Sequence, residues 1–194
     1  IHMGWDEVHC SIDGPNAEIH DALRGQAGAF KRTVRNACRL SVMRRQRNLD
    51  TPRLALHFVL TRLNFHTLHD MIDLAEAVGA FRVDFDALIA YTPEQKALVL
   101  SPEQRTQVAP LAARALEHAN ALGIATTLAN FLDVERLDRG NTVPEMPDAA
   151  GINGAPSFKA WHYLVVQADG KTSPCCVLAG EGGSVASTDL KTVW

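Results

Sequence analysis

The sequence predicts an α/β fold of parallel strands followed by a small β-hairpin module, and three observations carry that prediction. Strand-like and helix-like runs alternate from Val8 to Asn130, the order that builds βαβ units rather than a bundle or a sandwich. Near the C-terminal end, Asp169-Gly170 separates two apolar runs, which is a hairpin signal. The chain has 194 residues, 46% of them hydrophobic, enough for one buried core with a small appendage.

Val8 to Ile12 reads as the first strand. It enters the turn Asp13-Gly14-Pro15, an acid/His/Asp cluster of Glu18, His20 and Asp21, and then Arg24-Gly25, which opens a long amphipathic helix. There Phe30, Val34, Ala37, Cys38 and Met43 keep helical spacing through Arg47, and Asn48 to Pro52 breaks the helix. Lys31, Arg32, Arg35, Arg39, Arg44, Arg45 and Arg47 lie on it with no acid. They form either the solvated outer face of a crossover helix or a docking surface for an acidic partner.

Arg53 to Arg62 alternates Leu54, Leu56, Phe58 and Leu60 as a second strand, and Thr67 to Val78 is its helix, ended by Gly79. Phe81 to Leu88 is the third strand, with Val83, Phe85 and Ala87 alternating against Arg82, Asp84 and Asp86. After the break at Tyr91-Thr92-Pro93, Pro102 to Leu122 forms a long helix that stops at Gly123, and Ile124 to Asn130 is the fourth strand. Repeats of this kind match the C-terminal half of a partial (β/α) TIM-like barrel. The expected organisation is a partial barrel over 1–140, a Pro/Gly/Asn-rich linker over 141–156, and a hairpin module over 157–194.

A net charge of −3 argues against nucleic acid or an anionic membrane as partner. No run approaches the roughly 20 apolar residues of a spanning helix, and Ile1-His2-Met3-Gly4 lacks the features of a secretory signal. The chain therefore reads as cytoplasmic. Of the four cysteines, Cys175 and Cys176 are adjacent, poor geometry for a mutual disulfide, while Cys10 and Cys38 read as small packing residues. His57, His66, His69 and His118 invite a metal reading, above all His66 and His69 at i and i+3, but a zinc site needs a third ligand converging on that face, and the sequence identifies none.

The segment Ser11-Ile12-Asp13-Gly14, then His20-Asp21, Arg24-Gly25 and Phe30, resembles the strand and loop of radical S-adenosylmethionine enzymes. The resemblance implies S-adenosylmethionine and a [4Fe-4S] cluster as cofactors of the parent enzyme. It also implies that Ser11 hydrogen-bonds the cofactor, that Arg24 lies near its carboxylate, and that Asp13 and Asn64 occupy motif positions of the cofactor site. Local readings stand beside these. Ser11 and Asp13 are good turn formers before Gly14-Pro15, Asn64 is placed to cap the following helix, and His20-Asp21 could form an acid/base pair.

Trp161, Asp169-Gly170 and Cys175, five positions after that Gly, resemble the start of the auxiliary cluster domain called SPASM, or its shorter twitch relative. Leu190 to Trp194 resembles the short helical end that follows it. The position four before Trp161 is Ser157, where the pattern has Cys. The resemblance implies metal ligation by Cys175 and Cys176, as soft anionic thiolates suit iron.

The family's Cys-x-x-x-Cys-x-x-Cys loop and Gly-Gly-Glu-Pro segment are absent from this sequence. The expectation is a piece of a longer enzyme that modifies a peptide or protein by hydrogen abstraction, or a paralogue that kept the scaffold without its catalytic centre. The alternatives from other classes are a non-catalytic binding module and a structural zinc protein built on Cys175 and Cys176. Open sheet edges should favour self-association.

Overall fold

Four parallel strands in the spatial order β1-β2-β3-β4 carry helices on one face. The computed structural model describes residues 5–90, 92–133, 164–167, 169–173 and 183–193. The elements of the first unit are β1 (Glu7–Ser11), α1 (Ala17–Arg24), α2 (Ala29–Gln46), β2 (Arg53–Leu60), α3 (Leu68–Val78), β3 (Arg82–Ala87), α4 (Pro93–Lys96), α5 (Pro102–Leu122) and β4 (Ala125–Thr126). The parallel α/β class and the partial-barrel pattern of the sequence are thus present. The chain divides into two compact units, Ile1–Val143 and Pro144–Trp194.

The alternation of side chains along each strand decides what the sheet does. Ile12, Leu54, Leu56, Phe58, Leu60, Val83 and Phe85 are buried in a core with Ala37 of α2, Met71, Ile72 and Ala75 of α3, and Val108, Ala112, Ala115 and Ala119 of α5. Alanines at those α5 positions let α3 approach closely. Phe58 and Phe85 meet across β2 and β3 with ring centroids 5.2 Å apart, a favourable tilted aromatic pair.

The opposite face is polar. Glu7 pairs with both Arg53 and Arg82, Arg82 also holds Asp84 at 3.0 Å, and His57 Nε2 lies 2.6 Å from Asp86 Oδ2. Arg53 stacks over the Phe81 ring at 4.0 Å. All-parallel sheets are ordinarily apolar on both faces, whereas this one carries ion pairs between its strands on one of them.

Three local expectations are corrected. Arg24-Gly25 does not open the long helix but ends a shorter one, α1, which Asn16 caps by accepting from the Ile19 N–H at 3.0 Å, and α2 starts after Gly28. A second short helix, α4, begins within the expected break, with a capping box between Thr92 and Gln95 and Pro93 as its first residue. The fourth strand is only two residues long. Thr127 Oγ1 accepts from the Phe85 N–H at 2.7 Å and donates to the Phe85 carbonyl at 2.9 Å, replacing the ladder, and the chain turns into the 3-10 helix Leu128–Phe131.

In the second unit, β5 (Val165–Val166) and β6 (Thr172–Ser173) pair antiparallel across the Asp169-Gly170 turn, and a short helix α6 spans Leu190–Val193. The expected linker at 141–156 and the residues Ser157, Trp161, Cys175 and Cys176 lie outside the described residues. No described helix is long and apolar enough to cross a membrane.

Candidate functional site

The C-terminal ends of β1 and β2 are joined to α1 by a buried polar network centred on Asp13. This is the edge where open α/β sheets and barrels place their ligands. Asp13 is 7% exposed, and each of its polar atoms has a partner. Its backbone N–H donates to His20 Nδ1 at 3.0 Å, its carbonyl accepts from Asn64 Nδ2 at 2.9 Å, and Oδ1 accepts from the Val59 N–H at 3.1 Å. Oδ2 pairs with an Arg24 guanidinium nitrogen at 2.8 Å.

Asn64 is fully buried. Nδ2 donates to Val59 O as well as to Asp13 O, both at 2.9 Å, and Oδ1 accepts from the Thr61 N–H at 2.7 Å and the Thr61 hydroxyl at 2.9 Å. All four hydrogen bonds an amide side chain can make are used. Asn64 therefore ties the ends of β1 and β2 together. The helix-capping alternative is corrected, since Asn64 precedes the 3-10 helix Phe65–Thr67 without a side-chain cap bond.

His20 is buried against Phe30, with ring centroids 6.0 Å apart. Because Nδ1 accepts a backbone N–H, the ring is neutral with its proton on Nε2. Burial pushes its pKa below the ordinary 6.5, as does the Arg24 charge, against the opposing pull of Asp13 and Asp21. Asp21 faces elsewhere. Its carboxylate accepts from the Phe30 N–H at 2.7 Å and the Gly28 N–H at 2.6 Å at the start of α2, and these bonds hold its pKa below the ordinary range against desolvation. His20 and Asp21 are not an acid/base dyad but two anchors, one for β1 and one for α2.

Two glycines make the arrangement possible. A Cβ on Gly14 would lie 2.7 Å from Ile19 Cγ2, so only glycine lets α1 fold back over the turn. Gly28 adopts φ +76°, the left-handed region glycine enters without penalty, and so turns its N–H to Asp21.

Ser11 lies exposed at the end of β1, in register with His57. Of the four residues singled out from sequence as cofactor-binding, the structure brings Asp13, Arg24 and Asn64 into one bonded unit and places Ser11 on the polar face beside it. Arg24 is 40% exposed and bonded to Asp13 through one nitrogen, which leaves guanidinium donors open to solvent. Cys10 and Cys38 are free, half-buried thiols, and burial pushes the Cys10 thiol up.

Sequence reasoning missed the His57–Asp86 pair and the role of Val59. The parallel register sets Val59 opposite Asp86 and His57 opposite Asp84, so Asp86 is a diagonal neighbour of His57. Strand offset could have revealed this; spacing along one strand could not.

No family model matches the chain. It is 24% identical over 196 residues to the AdoMet-dependent heme synthase of Oleidesulfovibrio alaskensis, covering 98% of this chain and 49% of that protein. Over 77 residues it is 35% identical to the AdoMet-dependent heme synthase of Nitratidesulfovibrio vulgaris, covering 40% and 19%. Over 81 residues it is 38% identical to the PqqA peptide cyclase of Rhodopseudomonas palustris, covering 42% and 20%. The chain spans about half the length, or less, of the curated relatives it matches, and along nearly all of its own length it is similar to an AdoMet-dependent synthase.

Proposed function

We propose that the chain is part of a radical S-adenosylmethionine enzyme, the C-terminal half of its partial barrel joined to the start of a SPASM- or twitch-like auxiliary domain. One observation carries the reading. The Ser11 to Arg24 segment forms a strand end and short helix knitted by Asp13 at the C-terminal edge of a parallel sheet, in a chain aligned over 98% of its length with an AdoMet-dependent enzyme.

The donor set supports the amino-acid end of S-adenosylmethionine as the ligand. Ser11 offers a hydroxyl at the strand end, and Arg24 offers guanidinium N–H donors suited to a carboxylate. Asp13 and Asn64 are spent on internal bonds, so they position Arg24 and the loop rather than touch the ligand. S-adenosylmethionine, when bound and reduced by a [4Fe-4S] cluster whose ligand motif lies outside this chain, supplies the radical that abstracts hydrogen from substrate. Cys175 and Cys176 are the proposed ligands of an auxiliary cluster. A peptide or protein is the proposed substrate, supported by the similarity to a peptide cyclase and by the exposed basic residues Lys31, Arg32, Arg35 and Arg39 of α2.

The test is anaerobic calorimetric titration of S-adenosylmethionine into protein expressed with its flanking coding sequence. Saturable binding is expected, weakened roughly tenfold in Ser11→Ala and in Arg24→Met, the worth of one charge-assisted hydrogen bond, with deoxyadenosine formed on reduction. Absence of both binding heat and deoxyadenosine would overturn the reading in favour of a non-catalytic binding module.

A further inference from the structure

The groove between α3 and α5, on the helical side of the sheet, holds a cluster that the function above does not use. His69 and Asp73 are one turn apart on α3, and His118 reaches them from α5. Asp73 bridges the two rings. Its Oδ1 lies 2.6 Å from His118 Nε2, and its Oδ2 lies 3.6 Å from His69 Nδ1. The imidazoles stack with centroids 4.1 Å apart and planes 11° from parallel. One ligand atom from each of the three residues lies within 4.8 Å of the others.

His66, the sequence partner of His69, is not in the cluster, and His118 supplies the converging imidazole instead. It comes from α5, forty-nine residues further along, by packing alone. Val108, Ala112, Ala115 and Ala119 form the buried stripe of α5. His118 precedes the last of them, at the stripe's edge, where a long side chain reaches α3 without being buried.

We infer that His69, Asp73 and His118 form a binding site for a divalent transition-metal ion of the zinc type, clasping α3 to α5. Two imidazoles and one carboxylate make a borderline donor set that favours zinc, cobalt, nickel or copper over calcium or magnesium, which take oxygen ligands. In a tetrahedral zinc site with bonds of 2.0–2.1 Å, ligand atoms stand about 3.3 Å apart. The separations here reach that value by small rotations of side chains that are 44%, 54% and 28% exposed, free to move without disturbing the core. Three protein ligands leave the fourth position to water. His69 is also in the wall of a cavity of about 240 Å³ whose other lining residues are His66, Asp70, Leu111 and Arg114, so the site has room beside it for a coordinated solvent molecule or small anion.

The site is independent of the S-adenosylmethionine reading and stands or falls without it. The test titrates Co²⁺, then Zn²⁺, into the full chain and into the His69→Ala and His118→Ala variants, following visible absorption and thermal unfolding. In the unsubstituted chain we expect ligand-field bands without thiolate-to-cobalt charge transfer, saturating at one ion for this site, and a midpoint that rises with zinc. Each variant should lose about 100-fold or more in affinity, as removal of a ligand costs at least as much as removal of its supporting partner, and should lose the thermal shift. Absence of saturable binding would overturn the inference. So would affinity unchanged in both variants, or spectra dominated by thiolate bands, which would assign the ion to cysteines.

Discussion

The backbone N–H of Asp13 donates to Nδ1 of His20 across 3.0 Å; this bond fixes the tautomer of the histidine and, with the Asp13–Arg24 ion pair, ties α1 to the end of β1. A doubly protonated ring cannot accept it. Burial lowers the His20 pKa from 6.5, so the folded state resists the proton that the unfolded chain accepts. The contribution to stability is complete above pH 6.5 and is lost as the pH falls through the depressed folded value. Urea unfolding between pH 7.5 and 5 should show stability declining over that range, and His20→Gln should remove this part of the decline. A His20 resonance titrating at or above 6.5 in the folded protein would contradict the bond.

A second acid limb belongs to Asp21. The Phe30 and Gly28 N–H groups hold its carboxyl below the ordinary 3.8, so its stabilisation is present above pH 3.8 and disappears as the pH falls through its folded value. Asp21→Ala should destabilise the protein at neutral pH, loosen the start of α2 in amide exchange, and lose its effect in strong acid. Asp21→Asn should retain part of the capping.

Asn64→Ala removes two donors and one acceptor from a largely buried site, leaving the Asp13 and Val59 carbonyls and the Thr61 donors without their partner. Buried unpaired polar groups cost about 1–3 kcal/mol each, and partial relaxation reduces the sum. The expected loss is about 3–5 kcal/mol by denaturant unfolding. Asn64→Asp should be no better despite its shape, since it sets a second carboxylate oxygen against two carbonyls.

Asp13 and Arg24 should couple in a double-mutant cycle. Asp13 is nearly buried while Arg24 is 40% exposed, so the pair falls between a surface ion pair and a buried one, at about 1–2 kcal/mol. The single changes should be unequal. Asp13→Ala also strands the Val59 N–H, whereas Arg24→Met leaves a carboxylate that still accepts that bond. Equal single-mutant losses would mean that the Val59 bond contributes nothing.

The sheet and long helices were legible because their signals are local and repeated. Leu54, Leu56, Phe58 and Leu60 alternate, and α5 starts at Ser101-Pro102 and stops at Gly123. α1 was hidden because it is only eight residues long and its inward stripe is short, Ile19 and Leu23 beside the buried His20, so its clearest signals are the Asn16 cap and Gly25. β4 was overextended because Ile124 to Asn130 has strand composition while Thr127 substitutes its hydroxyl for the ladder. In the candidate site, Asp13, Arg24 and Asn64 were each legible as motif residues. Their mutual bonds were not, because Asp13 and Asn64 are fifty-one positions apart and meet only through the β1–β2 register.

That register also predicts how the chain associates. The Arg53 N–H donates to the Asp6 carbonyl at 2.8 Å and the Ile12 N–H donates to the His57 carbonyl at 2.9 Å, so Asp6, Val8, Cys10 and Ile12 direct their backbone groups toward β2. In a parallel ladder the intervening residues Glu7, His9 and Ser11 direct theirs away from it. Among the described residues β1 has a strand neighbour on one side only, and unpaired edge groups template pairing with another chain. The chain on its own should self-associate in light scattering as its concentration rises. His9→Pro removes one outward N–H without touching the ladder to β2, a placement proline tolerates on an edge, and should return the protein toward a monomer at little cost in thermal stability. If the unsubstituted chain is a monomer throughout, this edge does not drive association. If His9→Pro unfolds the protein, the direction assigned to the His9 N–H is wrong.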